Sequence, residues 1–255
     1  MNKSRRMAAL QSRALADAGF AVLQMDLLGC GDSAGDFGDA SWAQWLADVV
    51  FSCRWLQHRH GEAAQGQTTP PIWLWGHRAG ALLAVQAAQK LVTPCNFLFW
   101  QPATTGKLLL QQFLRLKAAS DLLGGQAKAV MAQLRDELAA GRSIEIAGYT
   151  LSAALCSGLE QSVLKPPALS APNMGRLVWI ELSNQQDATL SPAAATASAE
   201  WQAAGWDVHT QVAPGPAFWQ TTEIEDAPAL LAASLDAIKQ TGVAKPQRAV
   251  EAQPG

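Results

Sequence analysis

The chain has 255 residues, of which 49% are hydrophobic and 16% are charged, and its formal net charge is −2. This composition indicates a globular protein with a sizeable core, and the near-neutral charge argues against a nucleic-acid-binding protein. No apolar run is long enough to span a membrane and no signal-peptide core is present, so we expect a cytoplasmic protein. The four cysteines fall in no metal-ligand spacing, and we predict neither a metal nor a cofactor.

The first third of the chain predicts a helix, a strand and a second helix. Apolar residues at helical spacing over residues 4–18 indicate a helix that Gly19 ends. The next segment, Phe20-Ala-Val-Leu-Gln-Met25, has the composition of a short buried strand that ends at Asp26. After a glycine-rich loop, Ser41 is the predicted N-cap of a helix that ends near residues 60–61.

Strands and helices alternate through most of the remaining chain. The predicted strands cover residues 71–75, 96–100, 176–182 and about 207–212, and the helices cover residues 81–91, 193–204 and 227–239. This alternation indicates parallel βαβ units in a sheet with helices on both faces.

Between residues 102 and 172 the pattern is helical, which predicts an insertion that is either a lid over a site or a packed helical elaboration. We therefore predict a core of residues 1–101 and 173–240, an insertion of residues 102–172, and a disordered tail of residues 241–255.

One segment has the frame of a nucleophile elbow, in which a strand runs through a glycine-framed turn directly into a helix. It reads Trp73-Leu-Trp-Gly-His-Arg-Ala-Gly80. The glycines let the strand and the helix pass closely, and the helix N-terminus offers backbone donors to a developing oxyanion. We interpret His77, flanked by Arg78, as the residue at the strained position, where a serine hydrolase has its serine.

The letters G-x-S-x-G also occur at Gly31-Asp-Ser-Ala-Gly35, with Ser33 at the centre. Four residues separate this turn from the preceding predicted strand, and another loop follows it instead of a helix. Because a motif counts only in the right context, Ser33 ranks below His77 as the elbow residue.

The run Asp26-Leu-Leu-Gly-Cys-Gly-Asp-Ser-Ala-Gly35 resembles the D-x-x-G-x-G-x-S-x-G loop of α/β-hydrolases related to serine aminopeptidases and monoglyceride lipases. With residues 1–7, the elbow segment and Ala147-Gly-Tyr-Thr-Leu-Ser152, it resembles more narrowly the exosortase A system-associated hydrolase 2 family of exopolysaccharide-producing bacteria. The resemblance covers nearly the whole chain apart from the tail. It implies an α/β-hydrolase fold: a mostly parallel sheet with helices on both faces and a helical lid insertion.

The same resemblance implies strands before the first helix, so that we expect Met1 to be an internal methionine of a longer protein. It makes His77 the elbow residue, the backbone N–H of Arg78 an oxyanion donor, and Asp187 the acid of a triad. The loop after the last strand contains no histidine, although related enzymes have their catalytic histidine there. The elbow also includes Gly76, Ala79 and Gly80, and the pocket candidates are Asp26, Ser33, Phe218 and Trp219.

Two functions fit these residues. The first is an ester or amide hydrolase of bacterial exopolysaccharide or exosortase systems, with a degenerate triad in which His77 is a base or a nucleophile. The second is a catalytically inactive hydrolase-fold protein that serves as a scaffold or holds a small-molecule, lipid or acyl ligand. In that case His77 is a vestige or only packs beneath the insertion, and Arg78 either binds an anionic ligand at the helix start or reaches solvent. The non-catalytic accounts of His77 are favoured, because an acid alone cannot activate a nucleophile.

Overall fold

The computed structural model describes residues 2–63, 71–120, 127–169 and 175–240; Met1 and the predicted disordered tail lie outside these ranges. The helices are α1 (Asn2–Asp17), a 3-10 helix (Phe37–Asp39), α2 (Trp42–Ala63), α3 (Ala79–Ala88), α4 (Gly106–Ser120), α5 (Ala127–Ala139), α6 (Ala153–Glu160), α7 (Pro192–Ala203) and α8 (Pro228–Lys239). The strands are β1 (Ile72–His77), β2 (Cys95–Trp100), β3 (Ile144–Ile146), β4 (Tyr149–Leu151), β5 (Arg176–Ser183) and β6 (Asp207–Pro214).

The central sheet has the strand order β1-β2-β5-β6, and all of its neighbouring strands are parallel. This arrangement confirms the predicted α/β architecture. Strand β2 is a nearly continuous apolar run, as expected for a strand that is covered on both faces. Strands β3 and β4 form a separate antiparallel hairpin.

Two cores lie on opposite faces of the sheet, because side chains alternate between the faces along each strand. The first core contains Phe97 and Phe99 of β2 and includes residues of α2, α3, α7 and the insertion. The second core contains Leu98 and Trp100 of β2 together with residues of α1 and α8. Helices therefore cover both faces, as predicted.

Helix α1 ends as predicted, because Gly19 adopts a φ of 90° just after the last turn. The Gly19 N–H donates to the carbonyl of Ala16 at 2.9 Å, and the Phe20 N–H donates to that of Leu15 at 3.1 Å. These two bonds form a Schellman motif, which satisfies carbonyls at the helix end.

The same helix is tied to the C-terminal part of the chain. Arg6 forms a two-pronged ion pair with Asp226, at 2.7 and 2.8 Å, and Lys3 donates to the carbonyl of Thr222 at 3.0 Å. These links position α1 beside α8 on the second core.

The prediction of a buried strand at residues 20–25 is wrong. This segment has no strand assignment, several of its residues are exposed, and Leu23 is 39% exposed. Phe20 and Val22 do pack against the second core. No described strand lies beside the segment to accept its backbone hydrogen bonds, and an apolar composition alone does not make a strand.

The insertion contributes residues to the first core, and it contains the β3–β4 hairpin where only helix was predicted. A Cβ at Gly158 would lie 2.2 Å from that of Trp42, so α6 approaches α2 very closely. The hairpin turns at Ala147 and Gly148, whose φ values are 50° and 80°. Two central residues with positive φ are typical of a type I′ hairpin turn.

Candidate functional site

Three non-glycine residues with positive φ lie at the carboxyl ends of neighbouring strands of the sheet. Arg78 follows β1 with a φ of 54°, Gln101 follows β2 with a φ of 41°, and Asp187 lies in the loop after β5 with a φ of 57°. Ligands of open α/β sheets bind at the carboxyl ends of the strands, and strained backbone often accompanies functional sites. This edge is therefore the candidate site.

The turn from β1 into α3 has the geometry of an elbow. A Cβ at Gly76 would lie 2.5 Å from the backbone nitrogen of Ala81, so only glycine permits this approach of strand and helix. Ala79 and Gly80 are the first two residues of α3, and the space where a Gly80 Cβ would lie is open.

The strained residue of the elbow is Arg78, with φ 54° and ψ −115°, and the expectation that His77 holds this position is corrected. His77 is the last residue of β1 and pairs in register with Trp100 of β2. Strand β1 thus continues two residues beyond its predicted end at Trp75. Arg78 is the central residue of the five-residue turn that Gly76 and Gly80 frame, as Ser33 is between Gly31 and Gly35.

His77 lies in an aromatic environment. Its ring stacks on that of Phe218, with 5.2 Å between the centroids, and meets the ring of Trp219 edge to face at 5.0 Å. Its Nε2 is buried and has no hydrogen-bond partner among the described residues. Burial, assisted by the charge of Arg78, lowers the pKa of His77 from 6.5 to about 3. The imidazole is therefore neutral at physiological pH.

The backbone of Arg78 is already occupied by hydrogen bonds. Its N–H donates to the carbonyl of Trp100 at 3.1 Å, and its carbonyl accepts from Ala81 and Ala103. The predicted role of the Arg78 N–H as an oxyanion donor is therefore not supported, because this donor points into the sheet.

The side chain of Arg78 extends over the carboxyl edge of the sheet. Nη2 donates to Oε1 of Gln112 in α4 at 3.1 Å, and the guanidinium lies 5.8 Å from the centroid of the Trp219 ring. Burial lowers the pKa of Arg78 below its ordinary value. In the described part of the chain, no carboxylate forms an ion pair with it.

Asp187, the predicted acid, is exposed. Within the described ranges it has no hydrogen bond or ion pair, with His77 or with any other residue. The end of its loop is fixed to β5 by Glu181. This buried residue accepts hydrogen bonds from the backbone N–H and the hydroxyl of Ser191 at 2.8 and 2.9 Å. Glu181 was not predicted, although an acidic residue inside an apolar strand is a signal that could have revealed it.

Asp26 and Ser33 belong to a separate network at the start of the chain. Arg5 forms ion pairs with Asp26 at 2.7 Å and with Asp32 at 3.0 Å, and the Ser33 hydroxyl donates to the carbonyl of Asp26 at 2.6 Å. None of these contacts involves His77 or Arg78. Of the four predicted pocket residues, the structure brings only Phe218 and Trp219 to the elbow.

Two further residues of the site were missed from the sequence. Gln112 contacts Arg78, and Gln101 accepts a hydrogen bond from the Leu182 N–H at 2.9 Å and so links β5 to the turn after β2. Gln112 lies within the insertion, and the helical pattern there gives no indication that this residue reaches the sheet edge.

Comparisons with known proteins support this architecture. Residues 1–118, slightly less than half of the chain, match the family model described as serine aminopeptidase, S33. The parallel sheet, its flanking helices and this match decide the fold. The chain has an α/β-hydrolase-like fold.

Two solved structures of the Vlm2 thioesterase domain are similar to this hydrolase-like chain. One contains genetically encoded 2,3-diaminopropionic acid bound with a dodecadepsipeptide; it is 16% identical, covers 79% of this chain and 73% of its own, and has a TM-score of 0.37. The other is a wild-type structure, 14% identical over 81% of this chain and 78% of its own, with a TM-score of 0.33. No curated protein matches the chain. Among the described residues, no helix is both long and apolar enough to cross a bilayer.

Proposed function

We propose that this chain is a hydrolase-fold protein that binds its ligand at the carboxyl edge of the sheet without cleaving it. One observation carries the proposal: the strained elbow position holds Arg78. A guanidinium stays protonated in proteins and has no lone pair with which to attack a carbonyl carbon. The position that carries the nucleophile in a serine hydrolase therefore presents a cation instead.

The surroundings of the elbow support the same conclusion. His77 has no carboxylate to orient it, and Asp187 is exposed and unpaired within the described residues. A nucleophile and base act together only when they lie within hydrogen-bond reach and the base is itself oriented. The ligand of such a site is a small molecule or a lipid or acyl compound, since a cation and aromatic rings meet there.

An ester or amide hydrolase that uses His77 is the second candidate. It is favoured by the neutral state of the imidazole, whose pKa of about 3 leaves its lone pair unprotonated at physiological pH. In both cases the resemblance to exosortase A system-associated proteins supports a role beside bacterial exopolysaccharide systems.

Hydrolysis of p-nitrophenyl butyrate separates these candidates. We expect no turnover above buffer for the natural chain, for His77→Ala or for Arg78→Ser. The last variant restores a hydroxyl at the elbow but not the histidine and acid that activate it. His209→Ala, which changes a histidine of β6, is the control for unspecific imidazole chemistry. Turnover that is lost in His77→Ala and retained in His209→Ala would overturn the proposal in favour of the hydrolase.

A further inference from the structure

Arg78 and Arg176 are the two arginines of the described chain that are partly buried, whereas its other arginines are exposed. Arg5, Arg6, Arg142 and Arg176 each form an ion pair with a carboxylate. Arg78 has instead a single side-chain hydrogen bond, to the amide oxygen of Gln112. A guanidinium has five N–H donors, so four of them have no partner in the described structure. These donors are partly exposed and form a planar fork that matches the two oxygens of a carboxylate.

A second unpartnered polar group lies beside this fork. The His77 ring and the Arg78 guanidinium both contact the indole of Trp219, and the buried Nε2 of His77 has no hydrogen-bond partner among the described residues. Two adjacent side chains with unused polar atoms thus meet one aromatic ring at the sheet edge. This pairing points to an anionic group that the described residues do not supply.

An exposed apolar stripe on α4 flanks the partner of Arg78. Leu108, Gln112 and Leu116 are four residues apart and therefore share one face of the helix. Leu108 and Leu116 are each 55% exposed, whereas Leu109, Leu110 and Leu114 on the opposite side are buried in the first core. The stripe is thus not needed to hold α4 in place. It spans about 12 Å by the rise of an α-helix.

We propose that this site binds an alkyl carboxylate of medium or long chain, with the carboxylate on the guanidinium of Arg78 and the alkyl chain along the exposed face of α4 from Gln112 toward Leu116. The inference rests on the proposed function and names the class of its ligand. The occupant follows from charge and polarity together, because the unpaired cation selects an anionic head group and Leu116 selects an apolar tail.

Isothermal titration of the protein with decanoate, decanol and acetate tests this inference. We expect decanoate to bind at least tenfold more tightly than either decanol, which lacks the charge, or acetate, which lacks the chain. Arg78→Met should weaken decanoate at least tenfold and leave decanol unchanged. Leu116→Gln, an exposed position that does not endanger folding, should weaken decanoate and decanol by the same factor.

Two matched controls lie outside the site. Arg59→Met removes another arginine that lies over a tryptophan, here Trp55 of α2, and Val92→Gln changes a side chain that is 98% exposed. Both should bind decanoate like the natural chain. Equal affinity for decanoate and decanol, no measurable binding of decanoate, or no effect of Arg78→Met or Leu116→Gln would overturn the inference. Turnover of p-nitrophenyl decanoate would instead overturn the proposed absence of catalysis, whichever ligand binds.

Discussion

Two glycine-framed turns of this chain look alike in sequence and differ in structure. The first turn, Gly31 to Gly35, has the letters of a serine hydrolase motif, and its Ser33 hydroxyl is bonded to the backbone carbonyl of Asp26. The second turn, Gly76 to Gly80, lacks the serine but lies between a parallel strand and a helix and carries the strained residue. Only the second turn directly follows a strand of the central sheet.

The difference shows that the backbone context of such a motif, rather than its letters, places a side chain at a site. Glycines of the first turn make room for an ion-pair network, since a Cβ at Gly31 would lie 2.3 Å from side-chain atoms of Arg5 and Asp26. Gly76 of the second turn makes room for backbone, which cannot move aside. This contrast between movable and immovable neighbours can be tested by substitution.

The largest effect is expected at Gly76. A Cβ there meets the backbone of Gly80 and Ala81 at 2.5–2.6 Å, so Gly76→Ala must separate the strand from the helix. We expect a loss of about 3–5 kcal/mol in the free energy of unfolding, measured by urea denaturation. Gly80→Ala is the matched control, because its Cβ meets open space and alanine favours a helix, so that it should be neutral or slightly stabilising. Equal losses in both variants would contradict the close approach.

A smaller effect is expected at Gly31 of the first turn. Gly31→Ala should cost about 2–3 kcal/mol, which combines the left-handed φ of 57° with the displacement of the Arg5–Asp26 pair. Gly141 also has a positive φ, 77°, but a Cβ added there would meet no atom within 4 Å. Gly141→Ala therefore measures the backbone cost alone, about 1 kcal/mol. A Gly31 variant no less stable than the Gly141 variant in the same urea assay would show that the ion pair moves freely.

The last prediction concerns the slope of stability with pH that His77 imposes on the second turn. Its folded-state pKa, about 3, lies below its ordinary value of 6.5, so the unfolded chain binds the proton more readily. The stability that the neutral ring contributes is complete above about pH 6.5 and is lost as the pH falls toward 3, by at most about 1.4 kcal/mol per pH unit. His77→Phe removes this titrating group. Between pH 7 and 4 its free energy of unfolding, measured by urea denaturation, should therefore fall less steeply with decreasing pH, by up to about 1.4 kcal/mol per pH unit. An unchanged slope would mean that the ring is already solvated in the folded state.

The regular elements could be predicted because each has a local signal. The strands β1, β2 and β5 are short, mostly apolar runs with turn residues at their ends. Gly19 after α1 and Ser41 before α2 provide the capping interactions that the structure confirms. The segment at residues 20–25 has the same apolar composition as β1 and yet is not a strand. Strand formation needs a partner, and the partner of a parallel strand is not adjacent in sequence.

Both the place of the site and its register could be read from the sequence. Counted as Ser33 is between Gly31 and Gly35, the central residue between Gly76 and Gly80 is Arg78, so the expectation for His77 missed the spacing by one residue. The contact of Gln112 with Arg78, by contrast, brings together residues 34 positions apart, and no local pattern signals it. Catalytic roles for His77 and Asp187 stay predictions, although no described hydrogen bond joins the two residues.

The links between α1 and the C-terminal part of the chain have a consequence for folding during synthesis. The first core is complete once residues up to Trp206 have left the ribosome, whereas the second core needs α8 and includes Ile238. Met7 and Leu15 of α1 belong to the second core, and Arg6 reaches its partner Asp226 across 220 residues. Such contacts form late, because closing a long loop is entropically costly. We therefore expect the apolar face of α1 to lack its α8 partners until the end of the described chain has been made, which leaves it available to a chaperone during that interval.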